Sequence, residues 1–257
     1  MSDEKSLKYN EPWILQRADP YVYRHTDGSY YFTASVPAYD GIVLRRAGTL
    51  AELSGAEEVM VWKKHESGPM SYHIWAPEIH YLFGKWYIYF AGGEAEDIWK
   101  IRPYVLECSG DDPLTDEWVE LGKMKRAAED EFSFEAFSLD ATVFENKGEY
   151  YYVWAEKVGV GKMISNLYIA KMESGNQLKT VQVLLTTPDY DWERKGFWVN
   201  EGPAVIHHDG KMFLTYSASE TGVDYCVGML SIDEDADILD PRLWKKERYP
   251  VLKTCEK

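Results

Sequence analysis

The sequence predicts an all-β fold of the β-propeller type, built from repeated units of short antiparallel strands. A short phrase occurs four times along the chain, and each copy is followed by a glycine and an aromatic-rich segment. The four glycines, Gly28, Gly84, Gly148 and Gly210, are separated by 56, 64 and 62 residues. A period of this length with one small sheet per repeat is typical of propeller blades. Aromatic residues make up 15% of the chain, and they favour strands.

The repeated phrase is expected to form the first strand of each unit. Because blades are arranged around an axis, equivalent positions of different units face one another. The acids Asp19, Asp140 and Glu201 are therefore expected to converge, although they are distant in sequence. The four copies begin at Asp19-Pro20, Ala76-Pro77, Asp140-Ala141 and Glu201-Gly202.

The remaining strands of each unit follow in order. The second strand is predicted in the aromatic segments at 28–32, 84–88, 148–152 and 210–214, and a loop of small residues after it at 33–35, 91–93, 155–156 and 217–219. A third strand is predicted at 42–45, 104–107, 167–170 and 225–228. Turn-rich acidic stretches at 111–114 and 237–241 come next. No long amphipathic helix is expected.

Length and charge limit the classes of partner. The 257 residues suit one all-β domain spanning 1–257. The net charge of −15 argues against nucleic-acid and anionic-membrane partners and favours a neutral ligand. No apolar run reaches the roughly 18 residues of a membrane span. The polar N-terminus lacks the apolar core of a signal peptide, so a cytoplasmic location is expected, or a secreted one if a signal has been removed.

Three converging carboxylates suit acid and base catalysis of glycoside hydrolysis. An inverting glycosidase needs one ionised carboxylate to take a proton from water and one protonated carboxyl group to protonate the leaving oxygen, about 6.5–9.5 Å apart. A third acid can raise the pKa of the proton donor by like-charge repulsion. The alternative for any single Asp is a turn or strand-edge cap.

Other residues near the strand openings are candidates for binding a substrate. Trp75 and Phe137 are expected to form the walls of a sugar pocket, or alternatively to pack between units, and Ser138 follows in the same phrase. Glu78 is expected to bond a sugar hydroxyl or to pair with an arginine. Four more residues are weaker candidates for the pocket, and a structural role is favoured for them: Trp99, Arg102, Asn166 and Trp198.

The sequence motifs that would predict a metal ion or a cofactor are incomplete in this chain. The pair His207-His208 is expected to be exposed, and the acidic stretch at 233–237 lacks the glycine and glutamate of a calcium loop. Neither a complete dinucleotide-binding glycine motif nor a GxSxG nucleophile motif is present in the sequence. We therefore expect no metal ligands and no cofactor required for the chemistry.

Four further segments form a joint pattern: Trp75-Ala76-Pro77-Glu78-Ile79-His80, 101–106, 137–142 and 196–203. Together they resemble glycoside hydrolase family 43, and most of all its exo-acting α-L-arabinofuranosidases. The resemblance covers residues 9–257 and implies a five-bladed propeller and an inverting mechanism. It implies that Asp19 is the general base, that Asp140 orients the acid and tunes its pKa, and that Glu201 is the general acid.

The chain departs from the pattern of that family at one point. The Gly-Pro-Gly-His-type motif of a fifth blade, whose His contributes to a cation or water site on the propeller axis, is not found in the sequence. We therefore expect about four blades, without the C-terminal fifth, and self-association through open blade edges.

The resemblance implies an arabinose-containing oligosaccharide or polysaccharide as the substrate. A β-xylosidase, an endo-arabinanase and a non-catalytic sugar-binding propeller are the alternatives.

Overall fold

The structure, a computed structural model, describes residues 12–159 and 163–254 and confirms the all-β prediction. The described residues contain eighteen strands, three short 3-10 helices and no α-helix. No helix in this part of the chain is long and apolar enough to cross a membrane.

The first two sheets are four-stranded and antiparallel, and each follows the chain order. One contains β1 (Ala18–Arg24), β2 (Tyr30–Ser35), β3 (Gly41–Ala47) and β4 (Val59–Lys63). The other contains β5 (Tyr72–Leu82), β6 (Lys85–Glu94), β7 (Asp97–Cys108) and β8 (Val119–Lys123). Each sheet therefore corresponds to one repeat of the sequence, and we call them units 1 and 2.

The third sheet has ten strands and holds the other two repeats. Unit 3 consists of β9 (Ser138–Asn146), β10 (Glu149–Val158), β11 (Ile164–Ser174), β12 (Gln177–Leu178) and β13 (Val183–Thr186). Unit 4 consists of β14 (Trp198–His208), β15 (Lys211–Ala218), β16 (Cys226–Asp233), β17 (Lys245–Lys246) and β18 (Leu252–Lys253). A short parallel contact between β11 and β14 joins the two units.

The repeated glycines close the first hairpin of the units. In units 2, 3 and 4 the turn has two residues, and both have positive φ, for example 52° at Phe83 and 75° at Gly84. This is the type I′ geometry that matches the twist of the paired strands. Glycine adopts it without steric cost, which explains why it recurs at this point of the repeat.

The predicted small-residue loops are wrong. Residues 91–93 lie inside β6, and 155–156 lie inside β10. Small side chains are needed there because neighbouring atoms approach closely: a Cβ added to Gly93 would lie 2.8 Å from the carbonyl oxygen of Ile98. The strands therefore continue through these segments to the end of the unit where the cavity described below is found.

The core lies between the faces of successive units. Tyr31 of unit 1 contacts Trp86 of unit 2, with ring centroids 4.8 Å apart, and Tyr89 of unit 2 contacts Tyr152 of unit 3 at 5.5 Å. The largest apolar cluster among the described residues combines buried side chains of units 3 and 4 with Ala91 and Ile101 of unit 2. Each sheet thus packs against the next one along the chain, which fixes the relative positions of the four first strands.

Candidate active site

The four first strands contribute to one cavity of about 330 Å³, which we call the site cavity. The structure brings together five of the residues that the sequence singles out. Three are the acids Asp19, Asp140 and Glu201, and two are the aromatic residues Trp75 and Phe137. A volume in this range is typical of small-molecule sites.

A bulge interrupts the first strand of every unit where it reaches the cavity. The strand register shifts there in all four units. One residue in each bulge is left-handed, with φ of 49° at Asp19, 45° at Ala76, 51° at Asp140 and 57° at Gly202. Bulges redirect side chains and are common beside active sites. Here they place the carboxylates of units 1 and 3 at equivalent points.

The register corrects the sequence-based alignment of Glu201 with Asp19 and Asp140. Glu201 pairs with Ser217 as Trp75 pairs with Ala91, so Glu201 is equivalent to Trp75 and lies one residue before the left-handed position. The left-handed position itself is occupied by Gly202, whose N–H donates to Oδ2 of Asp140 at 3.1 Å.

Asp19 is the most exposed of the three acids, while Asp140 and Glu201 are half-buried. Its Oδ2 accepts a hydrogen bond of 2.7 Å from the hydroxyl of Ser35. An exposed carboxylate that is held at one oxygen is accessible to a water molecule. This environment differs from that of the other two acids.

Burial raises the pKa of Asp140 well above its ordinary value, and the negative charges of Glu201 and Asp19 raise it further. The Gly202 N–H opposes this shift. Burial also raises the pKa of Glu201, whereas the Tyr225 hydroxyl and the Lys157 ammonium group lower it. Two such neighbours titrate as a pair, so a proton is retained between Asp140 and Glu201 to higher pH than on an isolated carboxyl group.

Two groups that lower the pKa of Glu201, Tyr225 and Lys157, were not among the residues predicted for the site. The Tyr225 hydroxyl donates to Oε1 of Glu201 at 3.0 Å, and the Lys157 ammonium group lies 3.9 Å from the ring centroid of Phe137. Both line the site cavity. Neither belongs to the repeated phrase: Tyr225 opens the predicted third strand of unit 4, and Lys157 follows the small residues predicted as a loop at 155–156.

Two tryptophans, Trp75 and Trp99, form one wall of the site cavity. Their ring centroids are 6.3 Å apart, and the tilted ring of His73 contacts both, at 4.2 Å from Trp75 and 5.2 Å from Trp99. Trp99 lines the cavity and is 61% exposed, so it presents an open aromatic face to solvent. The structural role favoured for Trp99 from the sequence is therefore wrong, because its side chain lies in the cavity wall.

Glu78 lies in an adjoining cavity of about 370 Å³ that shares Asp19 and Asp140 with the site cavity. It accepts a hydrogen bond of 2.9 Å from Nε2 of His80, so this histidine takes the place of the expected arginine. Burial raises the pKa of Glu78. The carboxyl group is therefore close to the acids but outside the wall formed by Trp75 and Phe137.

The other predicted residues lie away from the centre of the site. Ser138 is buried, and its hydroxyl donates to the Ala136 carbonyl oxygen at 2.8 Å, so it is not among the described residues that line either cavity. Asn166 donates to the Tyr168 hydroxyl, Arg102 donates to backbone carbonyl oxygens, and the Arg194 guanidinium lies 4.7 Å from the Trp198 ring centroid. Within residues 12–159 and 163–254, no group of three or more His, Cys, Asp or Glu side chains is placed to hold a metal ion.

Comparisons with curated proteins identify close relatives. The chain is 48% identical over 251 residues to an extracellular exo-α-(1→5)-L-arabinofuranosidase of Streptomyces avermitilis, covering 98% of this chain and 51% of that protein. It is 47% identical to an enzyme of the same name from Streptomyces chartreusis, covering 95% of this chain and 72% of that protein. The chain thus spans about half the length of the Streptomyces avermitilis relative.

Comparisons with solved structures and family models agree with these relatives. The crystal structure of an α-L-arabinofuranosidase from Lactobacillus brevis superposes with a TM-score of 0.86 at 51% identity, covering 95% of this chain and 76% of that one. A thermostable family-43 glycoside hydrolase with 23% identity and a TM-score of 0.72 shares the fold. The family model for glycosyl hydrolases family 43 matches residues 9–257. The chain therefore belongs to glycosyl hydrolases family 43.

Proposed function

We propose that this protein is an inverting exo-α-L-arabinofuranosidase that releases terminal arabinose from arabinan or arabino-oligosaccharides. The observation that carries the proposal is the presence of Asp19, Asp140 and Glu201, from three different units, in one cavity with aromatic walls. The names of the Streptomyces and Lactobacillus relatives support the choice of substrate. A neutral saccharide is also compatible with a net charge of −15.

The environments of the acids support a division of roles. Asp19 is exposed and acts as the general base, taking a proton from the water that attacks the anomeric carbon. Glu201, whose pKa is raised by burial, donates its proton to the glycosidic oxygen as the bond to the anomeric carbon breaks. Asp140 orients Glu201 and keeps the pair protonated. Attack and departure take place on opposite faces of the sugar, so the configuration at the anomeric carbon inverts.

The four units are proposed to be four blades of one propeller that forms a single catalytic domain. Three features support this arrangement: the repeated phrase at the cavity end of each unit, the packing of each sheet on the next, and membership of the family. In this arrangement the bulged strands are the innermost strands of the blades. The walls of Trp75 and Phe137 then enclose the terminal sugar.

The first experiment measures sugar release and stereochemistry. The protein is expected to hydrolyse p-nitrophenyl α-L-arabinofuranoside and short arabino-oligosaccharides, and NMR of the first product should show the β-anomer of arabinose. Preferred hydrolysis of the β-xyloside would indicate a xylosidase, and internal cleavage of arabinan would indicate an endo-acting enzyme. Binding of arabino-oligosaccharide without hydrolysis would indicate a sugar-binding propeller.

The second experiment tests the general acid. Glu201→Ala should lower kcat on an arabino-oligosaccharide by about 10²–10⁴-fold. The loss should be much smaller on the p-nitrophenyl glycoside, because nitrophenolate leaves without protonation. Equal losses on the two substrates would contradict the assignment of Glu201.

A further inference from the structure

Ser35 connects the left-handed bulge of unit 2 with the carboxylate of Asp19. Its hydroxyl accepts a hydrogen bond of 2.8 Å from the N–H of Ala76 and donates one of 2.7 Å to Oδ2 of Asp19. The side chain is only 2% exposed, so water does not compete for these bonds. The hydroxyl is thus fixed from two sides.

The direction of these bonds follows from the bulge. In the pairing of β5 with β6, Trp75 opposes Ala91 and Glu78 opposes Tyr89, so the intervening Ala76 is outside the regular ladder. Its N–H is therefore free to donate to Ser35. A hydroxyl group has a single hydrogen, and because Ala76 is a donor, the hydrogen of Ser35 is directed to the Asp19 carboxylate.

The equivalent positions in the other units show that the fold itself does not require this hydroxyl. The residues that oppose the position before the left-handed residue are Ser35, Ala91, Ala155 and Ser217 in units 1 to 4. Units 2 and 3 thus have a buried alanine where unit 1 has Ser35. Unit 4 also has a serine, Ser217, at this position. Of the two units with an aspartate at the left-handed position, unit 1 has Ser35 beside Asp19 and unit 3 has Ala155 beside Asp140. Asp19 is the acid that must meet a water molecule.

We propose that Ser35 is a positioning residue for the general base, and that it holds Oδ2 of Asp19 so that Oδ1 takes the proton from the attacking water. The inference rests on the proposed role of Asp19. A carboxylate that is free to rotate would spend less time in the reactive geometry, and small misplacements of a reacting group reduce rates strongly. Because the substrate does not contact Ser35 in this scheme, its loss affects turnover rather than binding.

The test compares Ser35→Ala with Ser133→Ala on an arabino-oligosaccharide. Ser133 is the matched control: it is 1% exposed, and its hydroxyl also donates to an aspartate, Asp130, outside the site cavity. Ser35→Ala should lower kcat by about 10–100-fold with KM unchanged, because a small misplacement of a reacting group can cost about 100-fold in rate. Ser133→Ala should retain the native kcat. A loss below about threefold for Ser35→Ala, or a loss confined to KM, would overturn the proposal.

A pair of variants of equal shape separates the hydroxyl from packing. Ser35→Thr keeps the donor and Ser35→Val removes it, while both add the same bulk at this buried position. Ser35→Thr should retain at least about ten times the kcat of Ser35→Val. Equal activities of the two variants would overturn the proposal even if Ser35→Ala does not fold.

A double-mutant cycle distinguishes failure of this inference from failure of the proposed function. If Ser35 acts through Asp19, then Ser35→Ala should cause no further loss when it is added to Asp19→Ala, measured by slow hydrolysis of the p-nitrophenyl substrate. A further loss as large as that in the native background would show that Ser35 acts elsewhere. Native activity of Asp19→Ala would instead refute the role of Asp19 itself.

Discussion

At the scale of single residues, the pH at which Glu201 loses its proton depends on two neighbours with charges opposite to each other, Asp140 and Lys157. The charge of Glu201 raises the pKa of Asp140, and because repulsion between two carboxylates is mutual, ionised Asp140 also favours the protonated form of Glu201. The Lys157 ammonium group acts in the opposite sense and lowers the pKa of Glu201. In the proposed mechanism the general acid must be protonated, so the fall of kcat/KM at high pH reports the loss of this proton. The two neighbours should therefore displace the alkaline limb of the pH profile in opposite directions.

We expect Lys157→Met to move the alkaline limb to higher pH, because the positive charge that favours ionised Glu201 is removed. Asp140→Asn should move it down, because the repulsion that favours protonated Glu201 is removed. The measurement is kcat/KM against pH. Lys147→Met, which changes an exposed lysine paired with Asp235, is the control and should leave the limb in place. Shifts of the same sign for Lys157→Met and Asp140→Asn would contradict this account.

The repeated phrase was sufficient to predict that the three acids meet, because residues at the same phase of a repeat reach the same end of their units. It could not reveal Ser35, Tyr225 or Lys157. Their contacts depend on strand register and on side-chain direction across units, and these are not encoded in a local motif. The one-residue offset of Glu201 also became visible only in the pairing of β14 with β15.

At the scale of elements, the hairpin of β6 and β7 carries the outer part of the aromatic wall. Trp99 follows the hairpin turn, and its ring contacts that of His73, which in turn contacts the ring of Trp75. The exposed face of Trp99 is beside the mouth of the site cavity. A sugar attached to the terminal arabinose would meet this face, and flat apolar rings suit the apolar faces of sugars.

We expect Trp99→Ala to raise KM for arabino-oligosaccharides by about 5–10-fold, since an aromatic contact contributes about 1 kcal/mol. The value of kcat should change little, because Trp99 does not contact the acids in the proposed scheme. The control is Phe132→Ala, which removes a ring that is 68% exposed and does not line the cavity. An unchanged KM, or an equal rise in the control, would refute the contact.

Strands and turns were predicted unequally well. The glycines marked the hairpins correctly, since a type I′ turn has a local sequence requirement. The segments of small residues were wrongly predicted as loops. They are small because another part of the chain approaches them closely, as Ile98 approaches Gly93. Contacts of that kind follow from the packed structure and not from the nearby sequence.

At the scale of the whole molecule, one buried carboxylate ties unit 4 to its flanking segments. Glu193 is fully buried in a 3-10 turn between units 3 and 4. It accepts hydrogen bonds of 2.8 Å from Asn200 in β14 and from Tyr216 in β15, and it forms an ion pair with Lys246 in β17 at 2.8 Å. These bonds join four separate segments of the chain through a single side chain.

We expect Lys246→Met to destabilise the protein by about 3–5 kcal/mol, because it leaves a buried charge without its cation. For a chain of this size, the midpoint of thermal unfolding should fall by roughly 10 °C. Lys245→Met, which changes an exposed neighbour, should have almost no effect. A fall of similar size in both variants, measured by calorimetry, would show that the ion pair is not responsible. The sequence held no sign of this network, since its members lie in four segments without a shared pattern.

The left-handed bulges also imply that this protein is less heat-resistant than its fold allows. Two of the four left-handed residues are aspartates, and a non-glycine residue in this conformation costs roughly 1 kcal/mol. In addition, Asp140 is forced against the charges of Glu201 and Asp19. Because its pKa in the folded protein lies above that in the unfolded chain, ionisation of Asp140 destabilises the folded state as pH rises, and this penalty is absent under acid conditions.

Asp140→Asn should therefore turn over substrate more slowly than the native protein but unfold at a higher temperature. Asparagine tolerates the left-handed conformation and can still accept from Gly202, while the repulsive charge is removed. We expect an unfolding midpoint several degrees higher at neutral pH, and equal midpoints at a pH below that at which the unfolded aspartate titrates. An equal gain at both values of pH would show that charge is not the cause. The arrangement that concentrates three carboxylates at one place thus limits the temperature at which the protein survives, and variants that survive longer should be sought first among those that cannot turn over substrate.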